Sequence, residues 1–139
     1  MRTLGNVLWL LLAGWWLALL YVIAGVLACI LIITIPFGIA AFRLAGFVLW
    51  PFGRRAVFRP DAGVLAIIGN VVWVLVLGWE LAVAHLIAGL VLCVTIVGIP
   101  LGIACWKMVP LALLPMGQRV VPIDGGTAYP ATASPVQWR

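Results

Sequence analysis

Long apolar runs separated by short polar segments dominate the chain. The first run, from residue 7 to 35, contains 29 residues and no charged side chain. A secretory signal has an apolar core of about 7–15 residues, so this run predicts a retained membrane helix and not a cleaved leader. A shorter apolar run continues from Ile35 to Trp50. The two runs meet at an Ile35-Pro36-x-Gly38 motif, and the pattern predicts a helix, a break and a second helix.

The same pattern occurs twice, because residues 6–57 align without a gap onto residues 70–121. Trp, Gly, Pro, Cys and basic residues keep their register between the copies, which apolar sequence of low complexity would not do. The matched landmarks include Asn6 and Asn70, Trp9 and Trp73, Cys29 and Cys93, Pro36 and Pro100, Gly38 and Gly102, and Pro51 and Pro115. The two copies indicate an internal duplication.

Two segments lack this pattern. The residues between the copies, 58–63, are rich in turn formers, and after residue 121 the composition changes to Pro, Gly, Ser, Thr and Ala with little to bury. The predicted division is a first repeat at 1–57, a polar connection with the start of the second unit at 58–69, a second repeat at 70–121 and a flexible tail at 122–139.

Backbone hydrogen bonds in lipid must be satisfied within the spanning segment, which favours helices. We therefore predict an all-α membrane protein with two tandem repeats, each a helix hairpin with an Ile-Pro-x-Gly break, and four membrane-inserted helices. The second helix of each hairpin would span about 24 Å, against a hydrocarbon core of about 30 Å. It either crosses the bilayer or lies partly in the interface.

Composition and charge also favour a bilayer. Hydrophobic residues make up 67% of the chain and charged residues 8%, whereas a soluble domain carries about 25% charged residues. The formal net charge of +5 is not arranged as a nucleic-acid patch, because the basic residues flank the apolar runs. If each unit crosses once, these flanks lie on opposite sides, and if each crosses twice they share one side. We favour two crossings, with both termini cytoplasmic.

A helical period aligns small residues on one face of the first helix of each repeat, which predicts close helix packing. Each face also carries one large polar residue, Tyr21 or His85. That residue is either a hydrogen-bonding clasp between helices or part of the lining of a narrow polar passage. The small residues are Gly14, Ala18 and Gly25 in the first repeat, and Gly78, Ala82 and Gly89 in the second.

Ionisable residues within apolar runs are costly and by default mark function. Glu80 and Lys107 lie at matched depth in the predicted second hairpin and could either form a structural ion pair or take part in ion passage. Their first-repeat equivalents, Trp16 and Arg43, could make a cation–π contact. Both basic residues are also within snorkelling reach of the interface.

The two helix breaks, at Pro36 with Gly38 and at Pro100 with Gly102, have two interpretations. Free backbone groups at such breaks form ion sites in transporters. Alternatively each break is a simple hairpin turn, with Thr34 capping the second helix of the first repeat.

Enzyme signatures are absent from the sequence, which has three carboxylates and no catalytic triad, HExxH motif or phosphate-binding loop. The three cysteines lie in apolar runs without CxxC spacing. We therefore predict no enzymatic activity, no cofactor and no metal.

The repeated Gly-Trp-x-x-Ala, the Gly-Ile-Pro-Leu-Gly-Ile-Ala at 98–104 and the Leu-Trp-Pro-Phe-Gly-Arg-Arg at 49–55 resemble the YccF family of small bacterial inner-membrane proteins. The likeness covers residues 1 to 121. It implies a multi-pass protein of the bacterial inner membrane with paired YccF domains, and it brings no defined activity. Relatives carry His at the position of His85, and Tyr21 departs from that pattern.

Two functions remain open at the level of the sequence. The first is a homo-oligomeric channel or transport-related component, because four helices are too few to enclose a pathway alone. The second is a structural or accessory subunit of a larger membrane complex, with another membrane protein as partner. Both place the chain in contact with the lipid bilayer.

Overall fold

Two helical hairpins and a two-stranded sheet make up the fold of the computed structural model, which describes residues 2–123. The flexible tail predicted at 122–139 therefore lies outside the described residues from position 124 onward. The elements in chain order are α1 (Arg2–Ile30), α2 (Ile32–Leu49), β1 (Arg54–Phe58), α3 (Gly63–Cys93), α4 (Ile99–Leu113) and β2 (Gln118–Pro122).

The first helix of each hairpin is much longer than the second. With 29 and 31 residues, α1 and α3 extend about 44 and 46 Å at 1.5 Å per residue. With 18 residues, α2 extends about 27 Å, close to the roughly 30 Å of a hydrocarbon core. By length and apolar composition α1, α2 and α3 can each span a membrane, while the apolar helix α4 is shorter.

One π-helical turn interrupts each long helix, at Leu10–Gly14 in α1 and at Val74–Gly78 in α3. In the first, the Trp15 amide bonds the Leu10 carbonyl, five residues back. The glycine that ends this turn lies under a tryptophan, since a Cβ on Gly14 would come within 2.7 Å of the Trp9 indole. The turn therefore lets the Trp9 ring lie across its own helix and reach α2.

The Ile-Pro-x-Gly motif begins the α-helical part of the second helix of each hairpin, which in α2 follows a single 3-10 turn at Ile32–Thr34. Pro36 and Pro100 occupy the first turn of the α-helical segments Ile35–Leu49 and Ile99–Leu113. The chain reverses just before, where Leu31 adopts an extended conformation. Thr34 does not cap α2 as predicted. Its hydroxyl donates to the Ala28 and Leu31 carbonyls, so it closes the end of α1.

Each hairpin is tightly packed at two glycines. A Cβ on Gly38 of α2 would lie 2.8 Å from the Gly25 carbonyl of α1, and a Cβ on Gly102 would lie 2.6 Å from the Gly89 carbonyl. The predicted small-residue faces are buried in both repeats. They are helix-contact surfaces, in keeping with the need for close packing between helices in lipid.

A side-chain amide joins the open end of each hairpin. Asn6 accepts a hydrogen bond from the Phe52 amide and donates to its carbonyl, both at 2.9 Å. Asn70 bonds both backbone groups of Met116 in the same way. We call each arrangement an amide bridge. One turn further on, the Trp9 indole donates to the Val48 carbonyl and the Trp73 indole to the Ala112 carbonyl.

The two strands were not predicted, so the all-α expectation is corrected. β1 and β2 pair antiparallel, and Ala56 lies opposite Val120. Gly53 and Gly117 precede the strands with positive φ, which explains the glycine of each Pro-x-Gly-x-Arg motif. The arginine of this motif, Arg55 or Arg119, was assigned to a polar flank, but it lies within a strand because the strands pair across the repeats.

The repeats are related by an approximate twofold axis, here called the repeat axis. Ala56 and Val120 occupy equivalent positions of the two repeats, and in the sheet they lie opposite each other. Both amide bridges and both strands lie at one end of the bundle, here called the sheet end. The two hairpins therefore point the same way, and the repeat axis runs along the helices.

Candidate functional site

Tyr21 and His85, the two large polar residues of the small-residue faces, meet on the repeat axis. They occupy equivalent positions, and their rings make an edge-on contact with centroids 5.7 Å apart. Neither residue has any exposed surface. The contact joins α1 to α3, so the structure brings together two residues that the sequence placed in separate hairpins.

Neither ring makes the hydrogen-bonding clasp between helices that was one of the two predictions. His85 Nδ1 lies 2.9 Å from the Leu81 carbonyl of its own helix, so the hydrogen is assigned to Nδ1. Among the described residues, Tyr21 Oη and His85 Nε2 have no hydrogen-bond partner. The two rings pack as part of the core and occupy the repeat axis at this level.

Glu80 and Lys107 lie on the outside of the second hairpin. Both residues lie in the section of the hairpin between two hydrogen bonds that join α3 and α4, from Trp106 to Leu86 and from Trp73 to Ala112. The side chains are exposed, and the structure records no ion pair between them in residues 2–123. The predicted pairing is not formed within one chain, and the matched depth of the two residues stays a prediction.

Arg43 makes a contact that the sequence did not suggest. Its guanidinium Nη1 donates to the Gln118 carbonyl at 3.0 Å, which links α2 of the first repeat to β2 of the second. The predicted cation–π contact with Trp16 is not formed, and the Trp16 indole donates to Leu12 in its own helix. The partner of Arg43 was not predictable because the strand that carries it was not predicted.

Basic side chains gather at the sheet end. Arg54 and Arg55 of β1 and Arg119 of β2 are all exposed. Because side chains alternate along a strand, Arg55 and Arg119 share one face and Arg54 lies on the other, toward the helices. The positive flanks of both repeats therefore form one surface.

The described residues contain no group of three His, Cys, Asp or Glu side chains that could hold a metal ion. Cys29 and Cys93 are half-buried beside the glycines of the hairpin contacts, and Cys105 is buried. All three cysteines are free thiols that pack between helices.

Comparison with known proteins identifies the repeat unit. A family model described as the inner membrane component domain, YccF, matches residues 4–54 and again residues 68–118. The chain belongs to the YccF family. Each YccF domain contains most of one helical hairpin and both residues of its amide bridge. The two matches start 64 positions apart, as the repeats do.

Two curated YccF relatives match nearly the whole chain. The inner membrane protein YccF of Escherichia coli strain K12 and that of Shigella flexneri are each 31% identical to it, over 92% of this chain and 93% of the relative. No solved structure matches. Family membership and the long apolar helices together make this a membrane protein with two YccF domains.

Proposed function

We propose that the protein is a non-enzymatic, homo-oligomeric component of the bacterial inner membrane that serves transport across the bilayer. The observation that carries this proposal is the position of Glu80. Its side chain is exposed near the middle of the 31-residue apolar helix α3. A carboxylate that faces lipid at the centre of a spanning helix is disfavoured by about 2.5–3.5 kcal/mol on insertion scales.

Association of several copies would remove Glu80 from lipid. On α3, Val76, Glu80, Val83 and Ile87 are exposed at helical spacing and form one face, here called the Glu80 face. Lys107 is exposed on α4 in the same section of the hairpin and carries the opposite charge. The Glu80 face of one copy can therefore pair with Lys107 of the next, since a heterologous contact that closes into a ring brings different surface patches of identical chains together.

A passage along the repeat axis of a single copy is disfavoured, because side chains fill this axis. Tyr21 and His85 meet there with no exposed surface, so the axis is filled by side chains at that level. A transport pathway would instead lie between copies, with Glu80 among its lining residues. Ionisable residues that line such pathways are the ones that membrane helices retain.

The proposed orientation follows from charge. The exposed arginines of both repeats lie at the sheet end, and positive residues next to spanning helices favour the cytoplasm. We place the sheet end and both termini in the cytoplasm, with four membrane-inserted helices. The names of the curated relatives support an inner-membrane location, and the orientation rests on charge alone.

Mass measurement of the purified chain tests the association. We expect wild type in mild detergent to be an oligomer by light scattering. Val83→Trp, which adds a large side chain to the Glu80 face, should dissociate it. Leu19→Trp is the matched control, because Leu19 is exposed at the equivalent position of the first repeat. A wild-type monomer, or equal effects of the two substitutions, would contradict the proposed interface.

Flux through proteoliposomes tests the transport role. We expect cation flux with wild type and a reduction of at least about tenfold with Glu80→Gln, since the carboxylate would face the pathway. An oligomer without flux would favour the second candidate, a structural or accessory subunit. In that case the Glu80 face would be the contact with another membrane protein.

A further inference from the structure

An open cleft lies at the sheet end, where β2 crosses α2. Its volume is about 450 Å³. Two guanidinium groups line it, and no carboxylate does. The lining includes Phe42, Arg43, Gly46 and Phe47 of α2, Arg54 of β1 and Val120 of β2. The cleft is therefore positive and partly apolar.

The position of Arg43 places the cleft at the edge of the apolar bundle. Arg43 comes six residues before the end of α2 at Leu49, which corresponds to about 9 Å along the helix. Its hydrogen bond to the Gln118 carbonyl, at 3.0 Å, holds the guanidinium beside β2. An arginine has five N–H donors, so most of the guanidinium remains available to an anion.

We propose that this cleft binds one anionic phospholipid, with the lipid phosphate between Arg43 and Arg54 and an acyl chain along Phe42 and Phe47. Arginine pairs with phosphate through two parallel hydrogen bonds, which a planar guanidinium favours over a point charge. Basic pockets next to membrane helices recognise anionic headgroups in this way. The charge and the apolar floor together fit an amphiphile and not a free ion.

The second repeat lacks an equivalent site. The positions that correspond to Arg43, Gly46 and Arg54 are occupied by Lys107, Pro110 and Gln118. One of the two positive charges is thus missing. Gly46 matters because a Cβ there would meet no atom within 4 Å, so the glycine opens onto free space that the Pro110 ring would partly fill. The proposed stoichiometry is therefore one lipid per chain.

Native mass spectrometry of the full, delipidated chain in detergent tests this site. Titration with phosphatidylglycerol should give one bound lipid, about tenfold tighter than phosphatidylcholine of the same chain length, because a charge-assisted contact is added. Arg43→Gln and Arg54→Gln should each weaken phosphatidylglycerol binding by about tenfold. The thermal unfolding midpoint of each variant confirms that it is folded.

Two further variants separate the cleft from general charge attraction. Gly46→Leu keeps both arginines and fills the cleft, and it should also weaken binding by about tenfold. Arg119→Gln removes the same charge from the other face of the sheet and should leave binding unchanged. Equal losses for Arg119→Gln and Arg54→Gln, or full binding by folded Gly46→Leu, would overturn the proposal.

Inorganic phosphate distinguishes a lipid from a free anion. In excess, it should leave the phosphatidylglycerol adduct largely intact, since it offers no acyl chain to Phe42 and Phe47. Loss of the adduct under phosphate, together with a phosphate adduct that Arg54→Gln abolishes, would identify a free-anion site and overturn the lipid assignment.

Discussion

At the scale of single residues, the amide bridges show how a spanning hairpin satisfies the backbone where a helix ends. The backbone of Phe52 has left α2 and cannot make helical hydrogen bonds. The Asn6 amide offers one donor and one acceptor and bonds both Phe52 groups. Buried backbone groups must be paired, so an amide is needed at this position. The duplicated Asn6 and Asn70 were visible in the sequence, but their partners were not.

We expect Asn6→Ala and Asn70→Ala each to lower the free energy of unfolding by about 1–3 kcal/mol, because two backbone groups lose their partners. Asn6→Asp should also destabilise the fold, since the carboxylate cannot donate to the Phe52 carbonyl. Thermal unfolding in detergent, monitored by size-exclusion chromatography, measures the stability of the alanine and aspartate variants. Wild-type stability in either alanine variant would contradict the importance of the bridge.

Loss of the buried Tyr21 hydroxyl, unlike loss of the Asn6 or Asn70 amide, should not destabilise the fold. Tyr21 Oη has no partner among residues 2–123, so Tyr21→Phe should leave stability unchanged or raise it by about 1 kcal/mol. His85→Ala, which leaves a cavity on the repeat axis, should cost about 2–4 kcal/mol. The same unfolding measurement compares the two. A marked loss in Tyr21→Phe would mean that the hydroxyl is hydrogen-bonded in the membrane.

At the scale of elements, glycines set how closely α1 and α2 approach. Gly38 lies against the Gly25 carbonyl, whereas Gly46, two turns later on α2, faces open space. In lipid, close contact between helices supplies the packing that apolar burial supplies in water. The glycine of the Ile-Pro-x-Gly motif is thus a contact residue. Its role as a helix break, which the sequence suggested, is not supported, because the α-helical part of α2 begins at this motif.

Gly38→Ala and Gly46→Ala form a matched pair on one helix. Gly38→Ala should destabilise the fold by about 1–3 kcal/mol, because the new methyl group meets Cys29 and the Gly25 carbonyl. Gly46→Ala should stabilise it by up to about 1 kcal/mol, through the higher helix propensity of alanine. Unfolding midpoints in the same detergent check the difference, and equal shifts would contradict the tight contact.

At the scale of the whole molecule, two contacts join the repeats along the repeat axis. Tyr21 meets His85 inside the bundle, and Ala56 pairs with Val120 at the sheet end. A contact between equivalent residues can form only near the axis that relates the repeats. The same axis brings the basic residues of both repeats to one end, where we propose that anionic lipid binds.

Sided cysteine labelling checks this arrangement in cells. We expect Leu4→Cys and Val57→Cys to react from the cytoplasmic side, because both positions lie at the sheet end. Ile33→Cys and Ile96→Cys, which are 91% and 87% exposed in the hairpin turns, should react from the other side. The wild-type chain reports the background of its native cysteines. Labelling of positions 4 and 57 from opposite sides would contradict two parallel hairpins.

The sequence by itself determined the duplicated apolar unit, the YccF family and the small-residue helix faces. These features depend on composition and on spacing along one helix, so they can be read locally. Only the tertiary structure decided the partners of Asn6, Arg43 and Tyr21. Those partners are Phe52, Gln118 and His85, which are 46, 75 and 64 positions away.

The strands show the physical reason most clearly. Five residues that include two arginines carry little signal for β-structure, and β1 forms because β2 satisfies its backbone across the repeats. The exposure of Glu80 is likewise a property of packing, since the helical period alone does not say which face a neighbouring helix covers. Local spacing determined the helices and small-residue faces of each repeat. Contact between the repeats decided where the charged side chains of each repeat lie.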